Sequence, residues 1–206
     1  KILINLDKNI NDKNISEFSK LLKRRRLKEP VAYILEEKEF WSKKFKVNQN
    51  TLIPRPETEL LVEELVKIYK DKSISVLDVG TGSGCILISL LSEIKQSSGI
   101  GIDISSKALT IARDNLKIHK IDKSIKLLNK SFNDINYCKF DLIVSNPPYI
   151  ETRSVQSLDD DIKKYEPLIA LDGGNDGLNG IKKLIYKSKS ILKINGKLAL
   201  EIGNEQ

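Results

Sequence analysis

Ser75-Val-Leu-Asp-Val-Gly-Thr-Gly-Ser-Gly84 reads as a short apolar strand running straight into a glycine-rich turn. Glycines at 80, 82 and 84 let the backbone turn tightly and let a ligand approach without interference from a Cβ. Asp103 falls at the end of the next apolar run, about 20 residues further on, where its carboxylate can accept from both hydroxyls of a ribose. Turn and acid together define an adenosine-type site. A dinucleotide fingerprint spaces its glycines G-x-G-x-x-G; here the spacing is G-x-G-x-G, with Asp78 just ahead of it. A carboxylate at that place repels a pyrophosphate but attracts the cationic amino-acid end of S-adenosylmethionine, directly or through water. A methyl donor is therefore favoured over a nicotinamide cofactor.

Outward from this stretch, strands and helices alternate. Residues 75–79, 100–104, 125–129, 140–145 and 197–202 have the apolar character of strands, and helical spacing recurs near 84–95, 106–119 and 179–193. This alternation predicts an α/β fold with a doubly wound, mostly parallel sheet, its strands apolar on both faces because helices cover both. Ahead of it, Ile15, Phe18, Leu21 and Leu22 mark an amphipathic helix near 14–28, with Asn14 or Ser16 available as its cap and Pro30 ending it or opening the next. Glu39-Phe-Trp41 and Lys44-Phe-Lys-Val47 predict a hairpin turning at Ser42 and Lys43, with Trp41 as a packing anchor. Ile53-Pro-Arg-Pro-Glu-Thr58 then leads into a helix with an acidic first turn and a basic end, as the helix dipole favours.

The run Phe140-Asp-Leu-Ile-Val-Ser145 ends in Asn146-Pro-Pro-Tyr149, at the carboxyl end of a buried strand, where open α/β sheets bind ligands. Two consecutive prolines hold φ near about −65° and remove two N–H donors. The loop that remains is stiff and offers carbonyls plus the Asn146 amide. An acceptor wall beside an aromatic ring suits a planar NH2 group, so the substrate to expect is an amide or an exocyclic amine.

Composition excludes several alternatives. The chain has 206 residues, 31% charged and 40% apolar, with a net charge of +7. That length suits one main domain, and no apolar run approaches the roughly 18 to 20 residues of a membrane span. The segment Lys1–Asp7 meets an acid too early for a secretory signal, and Cys85 and Cys138 are too few for a disulfide framework and too isolated for zinc. A cytoplasmic setting follows as the expectation, and no metal site is expected. Lys23-Arg-Arg-Arg26 with Lys28 reads as a solvated helix face or an RNA contact, and His119 as a surface residue near a helix C-terminus. With no methionine at its start and a strand-like segment just before Gln206, the chain reads as incomplete.

Taken together, these residues resemble a Rossmann-like class I S-adenosylmethionine-dependent methyltransferase. More narrowly, the chain resembles the protein-(glutamine-N5) methyltransferases of peptide chain release factors, the HemK/PrmC type. The segments that carry the resemblance are EPVAYI at Glu29–Ile34, EFW at Glu39–Trp41, LIPRPETELLVE at Leu52–Glu63, DVGTGSGCI at Asp78–Ile86, DIS at Asp103–Ser105, SNPPYI at Ser145–Ile150, EPLIALDGGNDGL at Glu166–Leu178 and LEIGNEQ at Leu200–Gln206.

The resemblance implies methylation of the side-chain amide nitrogen of the glutamine in a release factor's GGQ motif. It implies cofactor contacts at Gly80, Thr81, Gly82, Ser83, Gly84, Asp103, Phe132 and Asn146, with Phe132 placed to stack on adenine. Asn146, Pro147, Pro148 and Tyr149 would hold the substrate, with Asn146, Pro147 and Tyr149 acting in catalysis. It divides the chain into a partial N-terminal helical recognition region at 1–36, a hairpin linker at 37–56 and a catalytic domain at 57–206 that lacks the family's last strands. The Arg55-Pro-Glu-Thr58 segment is expected near the pocket mouth, ordering the linker. An adenine-N6 or guanine-N2 methyltransferase makes the same demands on an NPPY loop, and a non-catalytic cofactor- or partner-binding domain is a further alternative.

Overall fold

Alternate residues of the central strands enter different cores, which sets a two-layered covering of one sheet. Val76, Leu142 and Val144 pack on one face with residues of the flanking helices, including Val62, Leu65, Ile88 and Leu90. Leu77 and Ile143 turn to the other face with Ile102, Phe140 and Ile191. The computed structural model describes residues 10–121, 123–136, 139–204 and 206. The expectations for Lys1–Asp7 and Cys138 therefore lie outside the described residues.

The elements run α1 (Asp12–Arg26), α2 (Val31–Ile34), β1 (Glu37–Phe40), β2 (Lys43–Lys46), α3 (Thr58–Tyr69), β3 (Ser75–Val79), α4 (Cys85–Glu93), β4 (Ser98–Asp103), α5 (Ser106–Ile118), β5 (Ile125–Asn129), β6 (Phe140–Ser145), α6 (Thr152–Val155), α7 (Asp160–Tyr165), α8 (Asn179–Ile191) and β7 (Leu192–Leu200). Short 3₁₀ turns cover Phe132–Asp134 and Leu168–Ala170. The main sheet has the order β5-β4-β3-β6-β7 and is parallel throughout. Succession runs outward from β3 through β4 and β5, then returns to the other side of β3 with β6. The order reverses between β3 and β6, so a crevice opens beyond their carboxyl ends. The glycine turn follows one of these strands and Asn146 the other. The Ser145 hydroxyl donates to the Val79 carbonyl at 2.7 Å, tying the two ends together.

The expected hairpin forms, but its turn is Trp41 and Ser42 rather than Ser42 and Lys43, because these two residues take φ 51° and 52° and Lys43 pairs with Phe40. That left-handed pair matches the twist of the strands. Phe40 and Phe45 bury into the first core, Trp41 packs on it in part, and the Trp41 indole N–H donates to Glu93 at 3.1 Å.

Three further local readings differ. The cap of α1 is Asn11, which accepts from the Asn14 amide at 2.8 Å, so the helix starts before the apolar periodicity does. The last strand begins at Leu192 rather than near 197; its pairing with β6 breaks after Phe140↔Leu192 and resumes at Leu142↔Lys197, because Asn195 (φ 64°) and Gly196 bulge out of register. His119 is half-buried, its Nε2 3.0 Å from the Lys44 carbonyl and its ring against Phe45. It holds the hairpin on α5, and burial lowers its pKa. Among the described residues no helix is long and apolar enough to cross a membrane, and no group of three or more His, Cys, Asp or Glu side chains gathers as a metal site.

Candidate active site

Two cavities meet at the crevice. The larger, about 650 Å³, is walled by the glycine turn, the end of β4, Phe132, and the loop after β6. The smaller, about 140 Å³, is walled by Pro147, Tyr149, Leu158 and Ile162 among others. Asn146, Arg55, Leu52 and Ala170 line both. Asn146 thus stands at the junction of a large chamber and a small one.

Of the residues singled out for cofactor binding, Gly80, Thr81, Gly82, Ser83, Asp103, Phe132 and Asn146 line the large chamber. Gly84 is not on its wall. Its φ of +81° caps α4, and a Cβ there would lie 3.1 Å from the Ile88 side chain, so it serves helix packing. Gly80 has φ +71° and open space where a Cβ would stand, which makes its backbone an exposed rim of the chamber. Of the residues singled out for substrate, Pro148 lines the large chamber and Pro147 and Tyr149 the small one.

Asp103 is held by the turn it faces. Its Oδ2 accepts from the Gly82 amide at 3.0 Å and its Oδ1 from the Ser105 amide at 2.8 Å, which leaves each oxygen a further lone pair. Burial raises its pKa, and the two amides oppose that shift. Asp78 is 1% exposed and sits behind the turn rather than on the chamber wall. One oxygen accepts from the Thr81 hydroxyl at 2.6 Å, while Oδ1 has no partner among the described residues. Burial, with a smaller contribution from Asp103, pushes its carboxyl up to about 7. An orphaned buried acid beside an open glycine rim fits a ligand that carries positive charge at this end.

The loop after β6 is clamped from two sides. From behind, the Gly173 amide donates to the Ile150 carbonyl at 2.8 Å and the Ile150 amide to Leu171 at 3.0 Å. A Cβ on Gly173 would come within 2.7 Å of the Pro148 carbonyl oxygen, so only glycine admits this close approach. From the front, the Asn146 Nδ2 donates to Thr58 Oγ1 at 3.2 Å, Thr58 Oγ1 donates to Glu201 at 2.6 Å, and the Tyr149 hydroxyl donates to the other Glu201 oxygen at 3.1 Å. Burial and the neighbouring Glu201 push the Tyr149 hydroxyl up to about 12, so it stays a donor. Thr58 and Glu201 were inside segments that carry the family resemblance, but no local pattern ties them to Asn146. They meet only because α3 and the end of β7 both flank β6.

A parallel sheet in this order, with a glycine turn, an acid on the next strand and an acceptor loop at the switch point, defines a Rossmann-like methyltransferase domain. The methyltransferase small domain family matches residues 56–162. A release factor glutamine methyltransferase of Caulobacter vibrioides is 40% identical over 96% of this chain and 69% of its own length. A bifunctional methyltransferase of Rickettsia felis is 40% identical over all of this chain, which spans 44% of that protein. Among solved structures, a ribosomal protein L11 methylase from Lactobacillus delbrueckii subsp. bulgaricus shares the fold with a TM-score of 0.52 and 24% identity, over 72% of this chain and 62% of that one. The chain belongs to the release factor glutamine methyltransferase family.

Proposed function

We propose that this chain transfers a methyl group from S-adenosylmethionine to the side-chain amide nitrogen of the GGQ glutamine in a peptide chain release factor. The observation that carries this reading is the position of Asn146. It lines both chambers, and its Nδ2 is engaged by Thr58 while no bond to its Oδ1 is made among the described residues. The large chamber suits a nucleoside ligand, and the small one a short, planar side chain.

In this reading Gly80, Thr81, Gly82, Ser83 and Asp103 hold the cofactor and Phe132 supports its adenine, with Gly84 shaping the turn behind them. When bound, S-adenosylmethionine supplies an electrophilic methyl, whose bond to sulfur breaks as the bond to the amide nitrogen forms, leaving S-adenosylhomocysteine. A carboxamide nitrogen is a poor nucleophile because its lone pair is delocalised, so orientation and polarisation matter more than a strong base. The Asn146 Oδ1 and the Pro147 carbonyl each accept one N–H of the glutamine, Pro148 stiffens the loop, and Tyr149 packs on the amide plane. Positive charge develops on that nitrogen as the bond forms, and the two acceptors stabilise it more than they do the ground state. The proton then leaves to water.

The same reading takes residues 1–36 as part of a recognition region, 37–56 as linker and 57–206 as the catalytic domain, working in the cytoplasm where release factors act. The test is transfer of labelled methyl to a release factor, to its Gly-Gly-Ala variant, and to bulk RNA and DNA. Label on the unaltered factor alone is expected; label on nucleic acid would move the activity to a base amine.

A further inference from the structure

We infer that Glu201, acting through Thr58, fixes which end of the Asn146 carboxamide faces the substrate, making both of them positioning residues for methyl transfer. This deepens the proposed function and rests on it. The two ends of a carboxamide have nearly the same shape, so what decides between them is the hydrogen-bond network around them.

A carboxylate has no proton to give. With Glu201 Oε2 2.6 Å away, the Thr58 hydroxyl proton points at Glu201, and the Thr58 oxygen keeps only lone pairs for its other neighbour. The Asn146 atom 3.2 Å from that oxygen must then be the NH2. Thr58 is 2% exposed, so bulk water does not compete for its hydroxyl. Asn146 Oδ1 is thereby turned toward the chambers as an acceptor, which an incoming amide NH2 requires. The other Glu201 oxygen takes the Tyr149 hydroxyl at 3.1 Å, so one carboxylate orients both ends of the loop.

Without the Glu201 acceptor, the Thr58 hydroxyl is free to rotate and donate to Asn146 Oδ1. The carboxamide then presents NH2 to the substrate. Donor would face donor for a glutamine, whereas a glutamate carboxylate would find a partner. The network therefore sets amide-versus-acid selectivity as well as rate.

The test compares the whole chain with Thr58→Val, Glu201→Leu and Thr58→Ser, using a peptide that contains Gly-Gly-Gln and its Gly-Gly-Glu counterpart. Three quantities are measured: the dissociation constant of S-adenosylhomocysteine, kcat and KM on the glutamine peptide, and the ratio of the two peptides' affinities. Thr58→Val and Glu201→Leu are expected to lower kcat by about 10- to 100-fold, the scale of one charge-assisted acceptor, and to shift the affinity ratio toward the glutamate peptide. Cofactor affinity is expected to hold within about threefold, and Thr58→Ser, which keeps the hydroxyl, to recover most of the lost rate. If one of the two fails to fold, the other still decides. Wild-type kcat and an unchanged affinity ratio in a variant that binds cofactor would overturn the inference. If the unaltered chain binds cofactor yet never labels glutamine, the proposed function itself fails, and the inference falls with it.

Discussion

Arg55 Nη2 lies 2.5 Å from Glu166 Oε1, with the Glu166 side chain 1% exposed and that of Arg55 29%. The second Glu166 oxygen accepts from the Ile53 amide at 3.0 Å. The loop before α3 is thus clipped to the segment that leads into Leu168–Ala170, and Arg55 lines both chambers. Removing one partner leaves a buried charge, whereas replacing both removes the desolvation cost as well.

Arg55→Met is therefore expected to cost about 3 kcal/mol in urea denaturation, and Arg55→Met combined with Glu166→Leu to recover much of that loss. A single variant as stable as the parent would show that water screens the Glu166 carboxylate in place of Arg55.

Asn146→Ala is expected to keep S-adenosylmethionine affinity within a few-fold while methyl transfer falls by about 100-fold, since it deletes an acceptor needed most in the transition state. Calorimetry and label transfer separate the two effects. Equal loss of both would argue for a cofactor-binding role only.

Asp103→Ala removes a carboxylate that the Gly82 and Ser105 amides hold against the large chamber. Cofactor binding is expected to weaken by about 1.5–3 kcal/mol, the scale of a charge-assisted hydrogen bond. An unchanged dissociation constant would take Asp103 out of the site.

Asp78 carries a pH dependence of known sign. Its folded pKa, about 7, lies above the ordinary carboxylate value, so the folded state binds the proton more tightly than the unfolded chain. Its contribution to stability is complete below about pH 4 and is lost as pH rises through 7. Asp78→Asn is expected to flatten the fall in stability of the ligand-free protein between about pH 4 and 7. Cofactor affinity in the parent is expected to rise over the upper part of that range, because the ionised acid attracts the cationic end of the ligand. Parallel stability curves for parent and variant would contradict the buried, proton-binding acid.

Much of the molecule follows from local pattern. Periodicity places the first four strands of the main sheet and the long helices to within a few residues, and the last strand only in its second half, because burial on both faces demands continuous apolar runs and a helix demands its own spacing. It misses the Asn195-Gly196 bulge, whose extra residues obey pairing with β6 rather than any rule of the strand itself. The Asn11 cap was likewise hidden, since a cap is chosen by where the helix backbone starts.

At the crevice the same division holds. The glycine turn, the end of β4 with Asp103 and the Asn146–Tyr149 loop are short local motifs, so residue type and spacing alone single them out, and the fold brings them to the chamber walls. Thr58 and Glu201 lie far from Asn146 along the chain, on either side of it, and nothing in their own neighbourhoods marks them as its partners. The sequence by itself determined the fold class and the family. Only the tertiary structure decided that Asp78 lies behind the chamber wall, that Asn146 joins two chambers, and which residues orient its amide. The physical reason is range: backbone torsion and hydrophobic period act over a few neighbours, while a hydrogen bond between distant side chains exists only once the packed sheet has brought their atoms within about 3 Å.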